Sequence, residues 1–197
     1  MLKSASALSV LMLALSACSP AGDVAPAPGA AVSAPGPAET AAAPDACQLV
    51  APAELAEIFA GRTFVVDTAS PAPPPPAGPG RNRIATCTFV SEGASVADMM
   101  VVTLLVTIAP SDSAQATLEA MKAGVLSVSP GAQPADIPDL GDGAYWVNLG
   151  GRRSGVSVNI RHNPRTWLTV SESSSGQEVA LTVDRLTRIA RGVLARL

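Results

Sequence analysis

Two kinds of apolar pattern alternate along the chain from Pro52 onward. The first pass begins with a helix over 52–60, because proline stands in its first turn and Gly61 follows its last apolar residues. Three strands are predicted after this helix, because β-branched and apolar runs are separated by turn-forming residues; they span 63–68, 84–90 and 99–108. The strand over 99–108 is almost continuously apolar, which favours a central strand covered on both faces, at least in part.

A second pass repeats this order. Ser111 and Asp112 can cap a helix over 113–125, in which apolar residues recur at spacings of three and four. A loop over 131–136 follows. Alternating patterns then predict three strands, over 144–149, 155–161 and 166–171.

The last predicted element is a helix over 177–197, whose apolar residues form one stripe while its arginines lie elsewhere. Such a helix buries its stripe against a sheet. The order of elements therefore predicts an α+β fold, with helices packed on a mostly antiparallel sheet, two helix-then-strands passes and a C-terminal helix.

The N-terminal residues have the pattern of an export signal. Lys3 precedes a short apolar run over 7–15, which is too short for a membrane-spanning helix. Leu15-Ser16-Ala17-Cys18 resembles the bacterial lipobox, so we expect a signal peptide over 1–17 and lipidation of Cys18. The alternative is an ordinary secretory signal that is cut nearby and leaves the protein without lipid.

A lipidated Cys18 implies a cell-envelope protein held by more than one acyl chain, as stable anchoring requires. Ser19 follows the cysteine, which resembles the outer-membrane sorting pattern in bacteria with two membranes. We therefore expect the outer membrane, facing the periplasm, in such a host.

Residues 18–45 are rich in alanine and proline and contain few large apolar side chains, which predicts a disordered tether. At about 3.1 Å per residue in polyproline II, its stretch of about 26 residues over 19–44 reaches at most roughly 80 Å. Residues 46–197 are long enough for a single globular domain with its own core.

The mature chain has a formal charge of 12 − 16 = −4 once Lys3 is lost, which gives no case for nucleic-acid binding. Arginines are nevertheless concentrated after residue 151. Those of the last helix are its solvated face on the simplest interpretation; they are Arg185, Arg188, Arg191 and Arg196.

A second group of arginines lies on or near a predicted hairpin, next to the few aromatic residues of the chain. Tyr145 and Trp146 should point to opposite faces of their strand, so one ring is free to stack on a ligand if the other is in the core. The candidate binding patch consists of Tyr145, Trp146, Arg152, Arg153, Arg161, Arg165 and Trp167. The alternative is that the rings only pack in the core or at an edge.

Two cysteines remain after Cys18. An even pair in an exported protein favours a disulfide between Cys47 and Cys87, and two buried free thiols are the alternative. No histidine or further cysteine is close enough in sequence to predict a zinc site, so no metal and no cofactor are expected.

Short motifs around these cysteines and before the Tyr-Trp pair carry a family resemblance. They are Asp45-Ala46-Cys47-Gln48-Leu49, Glu54, Gly61, Cys87-Thr88-Phe89 and the run Pro138-Asp139-Leu140-Gly141-Asp142-Gly143-Ala144-Tyr145-Trp146. This pattern resembles a group of uncharacterised bacterial lipoprotein domains. The resemblance implies a secreted, lipid-anchored protein without a known reaction. Pro73 to Pro76 depart from the pattern and are interpreted as an irregular loop or as a polyproline II ligand.

No assembled catalytic motif is present. His162 is the only histidine, no Gly-x-Ser-x-Gly elbow surrounds a serine, and Pro138 and the glycines prevent Asp136, Asp139 and Asp142 from sharing a helix face. We therefore predict a lipid-anchored, non-catalytic domain that binds an envelope protein or a wall component. The alternatives are a hydrolase centred on His162 or the three aspartates, a structural or assembly subunit, and a carrier of small ligands.

Overall fold

The computed structural model describes residues 44–67, 81–93, 98–129, 131–132, 134–148, 154–174 and 179–197. The helices are α1 (Pro52–Ile58), α2 (Ala114–Val128) and α3 (Val179–Leu194), preceded by a 3-10 turn (Ala46–Gln48). The strands are β1 (Phe64–Val66), β2 (Arg83–Ser91), β3 (Val101–Ile108), β4 (Ala135–Ile137), β5 (Gly143–Asn148), β6 (Ser154–Arg161) and β7 (Thr166–Ser174).

The seven strands form one sheet in the order β1-β2-β3-β7-β6-β5-β4, and every neighbouring pair is antiparallel. The predicted α+β fold with helices on a mostly antiparallel sheet is confirmed. The sequence did not predict β4, because its three residues are too few to show alternation and stand between Pro134 and Pro138.

One face of the sheet, the core face, packs against α1, α3 and the 3-10 turn. Its residues follow from strict alternation, since successive side chains of a strand point to opposite faces. A row of in-register partners crosses the four middle strands; it consists of Cys87, Leu104, Val170 and Val158. All four are buried.

The opposite face, the outer face, is covered unequally. α2 packs on β6 and β7, where Leu118 joins Tyr145, Val147 and Trp167 in a second apolar cluster. On β3 only Thr107 is buried on this face, while Val101, Thr103 and Leu105 are half-exposed. The expected cover on both faces of β3 is therefore present only in part.

α2 begins one residue later than predicted. Its N-cap is Ser113, whose side chain makes no capping hydrogen bond, so Ser111 and Asp112 do not cap the helix. The backbone N–H of Ala114 instead donates to the carbonyl of Pro164 at 3.0 Å, which ties the start of α2 to the β6–β7 turn.

The Cys47–Cys87 disulfide is confirmed, with a Cα–Cα distance of 5.0 Å. It joins the 3-10 turn to the buried middle of β2. The Asp45 carboxylate accepts a hydrogen bond of 3.0 Å from the backbone N–H of Cys47, which caps the turn beside the bridge. The chain therefore enters the fold at a point covalently linked to the core.

The end of the chain is held at the same place. Arg196 donates to the backbone carbonyl of Leu49 and forms an ion pair with Glu54 of α1. Hydrogen bonds from Arg196 and from the backbone N–H of Ala51 lower the pKa of Glu54. Because both side chains are about 40% exposed, this ion pair makes only a small contribution to stability.

The described residues belong to one compact unit, Ala41–Leu197. The predicted signal peptide over 1–17, Cys18, the tether up to residue 43 and Pro73 to Pro76 lie outside the described residues. No helix among the described residues is long and apolar enough to cross a membrane.

Candidate functional site

The structure does not assemble the predicted aromatic and arginine patch into one exposed surface. Tyr145 and Trp167 lie on the outer face under α2 and are only 5% exposed. Trp146 points to the core face, where it is partly buried against the main core. Adjacent residues therefore do point to opposite faces, but neither face offers a free ring.

The two described arginines of the patch, Arg161 and Arg165, form hydrogen bonds with nearby backbone carbonyl groups. The Arg161 guanidinium donates to the backbone carbonyl of Asp142 at 2.8 Å, and Arg165 donates to the carbonyl of Ala109 at 3.1 Å. Both bonds fasten a loop to a strand end. Arg152 and Arg153 lie outside the described residues.

The ring of Tyr145 lies beside a surface ion pair. The Lys122 ammonium lies 5.5 Å from the centre of the Tyr145 ring and 2.7 Å from the Asp136 carboxylate. Burial raises the pKa of the Tyr145 phenol. A buried neutral phenol beside a cation that already has a carboxylate partner is a packing arrangement, not an acid-base pair.

The three aspartates of the predicted loop do not converge. Asp136 lies on β4 and pairs with Lys122, whereas Asp139 and Asp142 are exposed in the turn before β5. Gly141 has φ +61°, and a Cβ there would lie 2.5 Å from the carbonyl oxygen of Arg161. The loop is therefore shaped by its close approach to β6.

His162 is a half-exposed residue of the β6–β7 turn, and its backbone N–H donates to Thr166 at 3.0 Å. Among the described residues, no group of three or more histidine, cysteine, aspartate or glutamate side chains is placed to hold a metal ion. The buried Glu172 lies on the core face opposite Val102 and Val156 and has an interaction partner.

The surface that the sequence did not single out is the part of the outer face on β1, β2, β3 and the end of β7. We call it the open face; it consists of Val65, Ile84, Thr86, Thr88, Val90, Val101, Thr103, Leu105, Ser171 and Ser173. Every one of these side chains is half-exposed or exposed. Val65, at 47%, is the most exposed large apolar side chain of the described residues.

The pairing of the strands places the side chains of the open face in rows. Thr88 pairs with Thr103, and Thr103 pairs with Ser171, so three hydroxyl-bearing side chains cross three strands side by side. Val90 and Val101 form an apolar pair next to this row. None of the ten residues is charged. The result is an uncharged surface of methyl and hydroxyl groups, which is suited to contacts by shape, burial and hydrogen bonds rather than by charge.

The open face and the chain entry lie on opposite sides of the sheet. Ala46 and Leu49, beside the entry at Asp45, belong to the main core cluster on the core face, and the open face looks the other way. In the sequence, the open face is visible only as the alternation of Thr86 and Thr88 with Ala85 and Cys87, which are buried. This alternation predicts a strand with two different faces but does not show that one of them is left uncovered.

No family model matches the chain, and no curated protein matches it. The resemblance to bacterial lipoprotein domains therefore stays a prediction. The structure does give two of its motifs a local explanation: Cys47 and Cys87 form the disulfide, and Leu140 and Gly141 anchor and shape the turn before β5.

Proposed function

We propose that the protein is a lipid-anchored lipoprotein of the cell envelope whose globular domain binds an envelope protein or a wall component without catalysis. The open face is the binding surface. The observation that carries the proposal is its combination of exposure and neutrality on a sheet whose other face packs against α1, α3 and the 3-10 turn.

An exposed face of this composition has a physical consequence. Threonine and valine side chains on a flat sheet are rigid, because β-branching restricts their rotamers, so little side-chain entropy is lost when a partner covers them. A neutral surface is also covered at a smaller desolvation cost than a charged one. Both properties favour a flat partner that excludes water over the threonine row.

The anchor supports the same function. Lipidation at Cys18 and the tether over 18–45 hold the domain near a membrane, facing the periplasm from the outer membrane if the host has two membranes. Because the chain enters on the core-face side, the open face is free to meet a partner while the domain is tethered. The tether raises the effective concentration of a local partner.

Thr103 lies at the centre of the open face, and its replacement by glutamate is expected to abolish binding. A carboxylate buried under a partner without a counter-charge costs several kcal/mol, which corresponds to a loss of affinity of at least about a hundredfold. The measurement is recovery of the partner with the tagged, full-length chain from solubilised envelopes of the host.

The matched control is Ala120→Glu, which places the same charge on the exposed side of α2. We expect this variant to recover the partner as the unmodified chain does, and both variants to melt within a few degrees of it. Equal recovery by Thr103→Glu and Ala120→Glu would exclude the open face. Recovery of no specific partner by the unmodified chain would contradict the binding function itself.

A further inference from the structure

Three arginines follow one another at three-residue spacing along α3. Arg188 and Arg191 are exposed, and Arg185, one turn earlier, is half-exposed with its guanidinium 5.2 Å from the centre of the Phe59 ring. Within the described ranges, Arg188 and Arg191 take part in no ion pair and no side-chain hydrogen bond. We call these three residues the arginine ridge.

Few acidic groups oppose the ridge. On α3 itself the only one is Asp184, and α1, which packs beside it, contributes Glu57 and Glu54. Glu54 is already paired with Arg196. The segment 179–197 has four arginines and one aspartate, a formal charge of 4 − 1 = +3, in a mature chain of −4. Because Arg196 and Glu54 neutralise each other, the three ridge arginines are opposed by Asp184 and Glu57. A small excess of positive charge therefore lies on this side of an acidic chain.

The C-terminal end of α3 is also next to the point where the chain enters the fold. Arg196, just beyond the end of α3, bonds to Leu49, which lies four residues after Asp45. Asp45 lies 45 − 18 = 27 positions after Cys18. The proposed anchor is therefore joined to the domain beside the C-terminal end of the helix that carries the ridge.

We infer that the arginine ridge of α3 is a docking surface for an anionic phospholipid membrane. The inference rests on the lipid anchor of the proposed function, because electrostatic attraction strengthens membrane binding by only about fivefold per arginine. Such weak attraction suffices for a tethered domain, whose effective concentration at the membrane is high. Arginine also suits phosphate groups, since its fork of donors matches their geometry.

Docking through α3 gives the domain an orientation. α3 packs on the core face, so the open face points away from the lipid when the ridge lies on it. The arginines that we interpreted from the sequence as a solvated helix face thus gain a role: they present the open face to the space beyond the membrane.

Energy transfer from the two tryptophans, Trp146 and Trp167, to a dansyl-labelled lipid tests the docking. The chain from Cys18 contains the whole compact unit, and its remaining cysteines are joined in the disulfide. Cys18 can therefore be coupled chemically to a maleimide lipid, so the result does not depend on natural lipidation. The vesicles are phosphatidylcholine alone, or phosphatidylcholine with about one third phosphatidylglycerol.

We expect greater energy transfer on the anionic vesicles, falling to the neutral-vesicle value at about 1 M salt. In the R188E/R191E variant, the difference in energy transfer between anionic and neutral vesicles should disappear. The control R81E/R83E makes the same change of net charge at Arg83, the first residue of β2, and at Arg81, two residues before it. Both arginines are described and free of ion pairs, so this variant should keep the difference. The Thr103→Glu variant should also keep it.

Equal transfer on the two kinds of vesicle would overturn the docking surface, and so would an equal loss in R188E/R191E and R81E/R83E, which would show only an effect of net charge. These outcomes leave the proposed function standing. That function fails separately, if Cys18 of the protein from its host carries no lipid or if the open face has no partner.

Discussion

Replacing Cys47 and Cys87 together by alanine is expected to lower the free energy of unfolding by about 4 kcal/mol. The bridge closes a loop between residues 40 positions apart, and the chain-entropy relation assigns a loop of that size about this value. The loop contains α1, β1 and the first part of β2, so opening it gives a large part of the unfolded chain more conformational freedom. Urea unfolding of the oxidised chain and of the variant measures the difference.

The chemically reduced, unmodified chain is the control for this prediction. It should lose nearly the same stability, because reduction opens the same loop without removing the side chains. A double variant as stable as the oxidised chain would show that the bridge does not constrain the unfolded chain. A reduced chain that keeps full stability while the variant does not would assign the loss to packing of Cys87 instead.

Leu186→Ala is expected to cost about 2 to 5 kcal/mol. Leu186 is 0% exposed on α3 and packs in the main core cluster, so truncation removes buried methyl groups and leaves a cavity between α3 and the sheet. The same loss should appear as a lower urea midpoint with an unchanged slope.

Leu181→Ala, on the same helix, is the matched control. Leu181 is 44% exposed, so its truncation should change stability by no more than about 0.5 kcal/mol. If the two variants lose equal stability, α3 is not packed against the sheet through the stripe that contains Leu186.

Local patterns predicted most of the fold because each element has a clear period. In β2 the alternation of buried Ala85, Cys87 and Phe89 with half-exposed Thr86 and Thr88 places the strand and its core face. β3 was harder. Its nearly continuous apolar run fits cover on both faces, but cover depends on which helix packs there, and α2 packs on β6 and β7 instead.

The candidate site was less predictable, for a related reason. Tyr145 and Trp167 are among the few aromatic residues of this chain, and we predicted for that reason that they bind a ligand. In the structure α2 buries both. The open face is made of common residues whose meaning comes from register. Thr103 faces solvent beside Thr88 and Ser171 only because β2, β3 and β7 are neighbours, a long-range fact that no local pattern contains.

Site-specific photocrosslinking in living host cells tests the binding surface most directly. A photoreactive residue is placed at Thr103 in the full chain, and in separate variants at Ala120 on α2 and at Arg188 on the ridge. If the open face binds the partner, Thr103 gives one discrete crosslinked species that Ala120 and Arg188 do not give, and the species disappears when Cys18 is replaced. The absence of such a species from Thr103, or its equal appearance from Ala120, would contradict the open face as the binding surface.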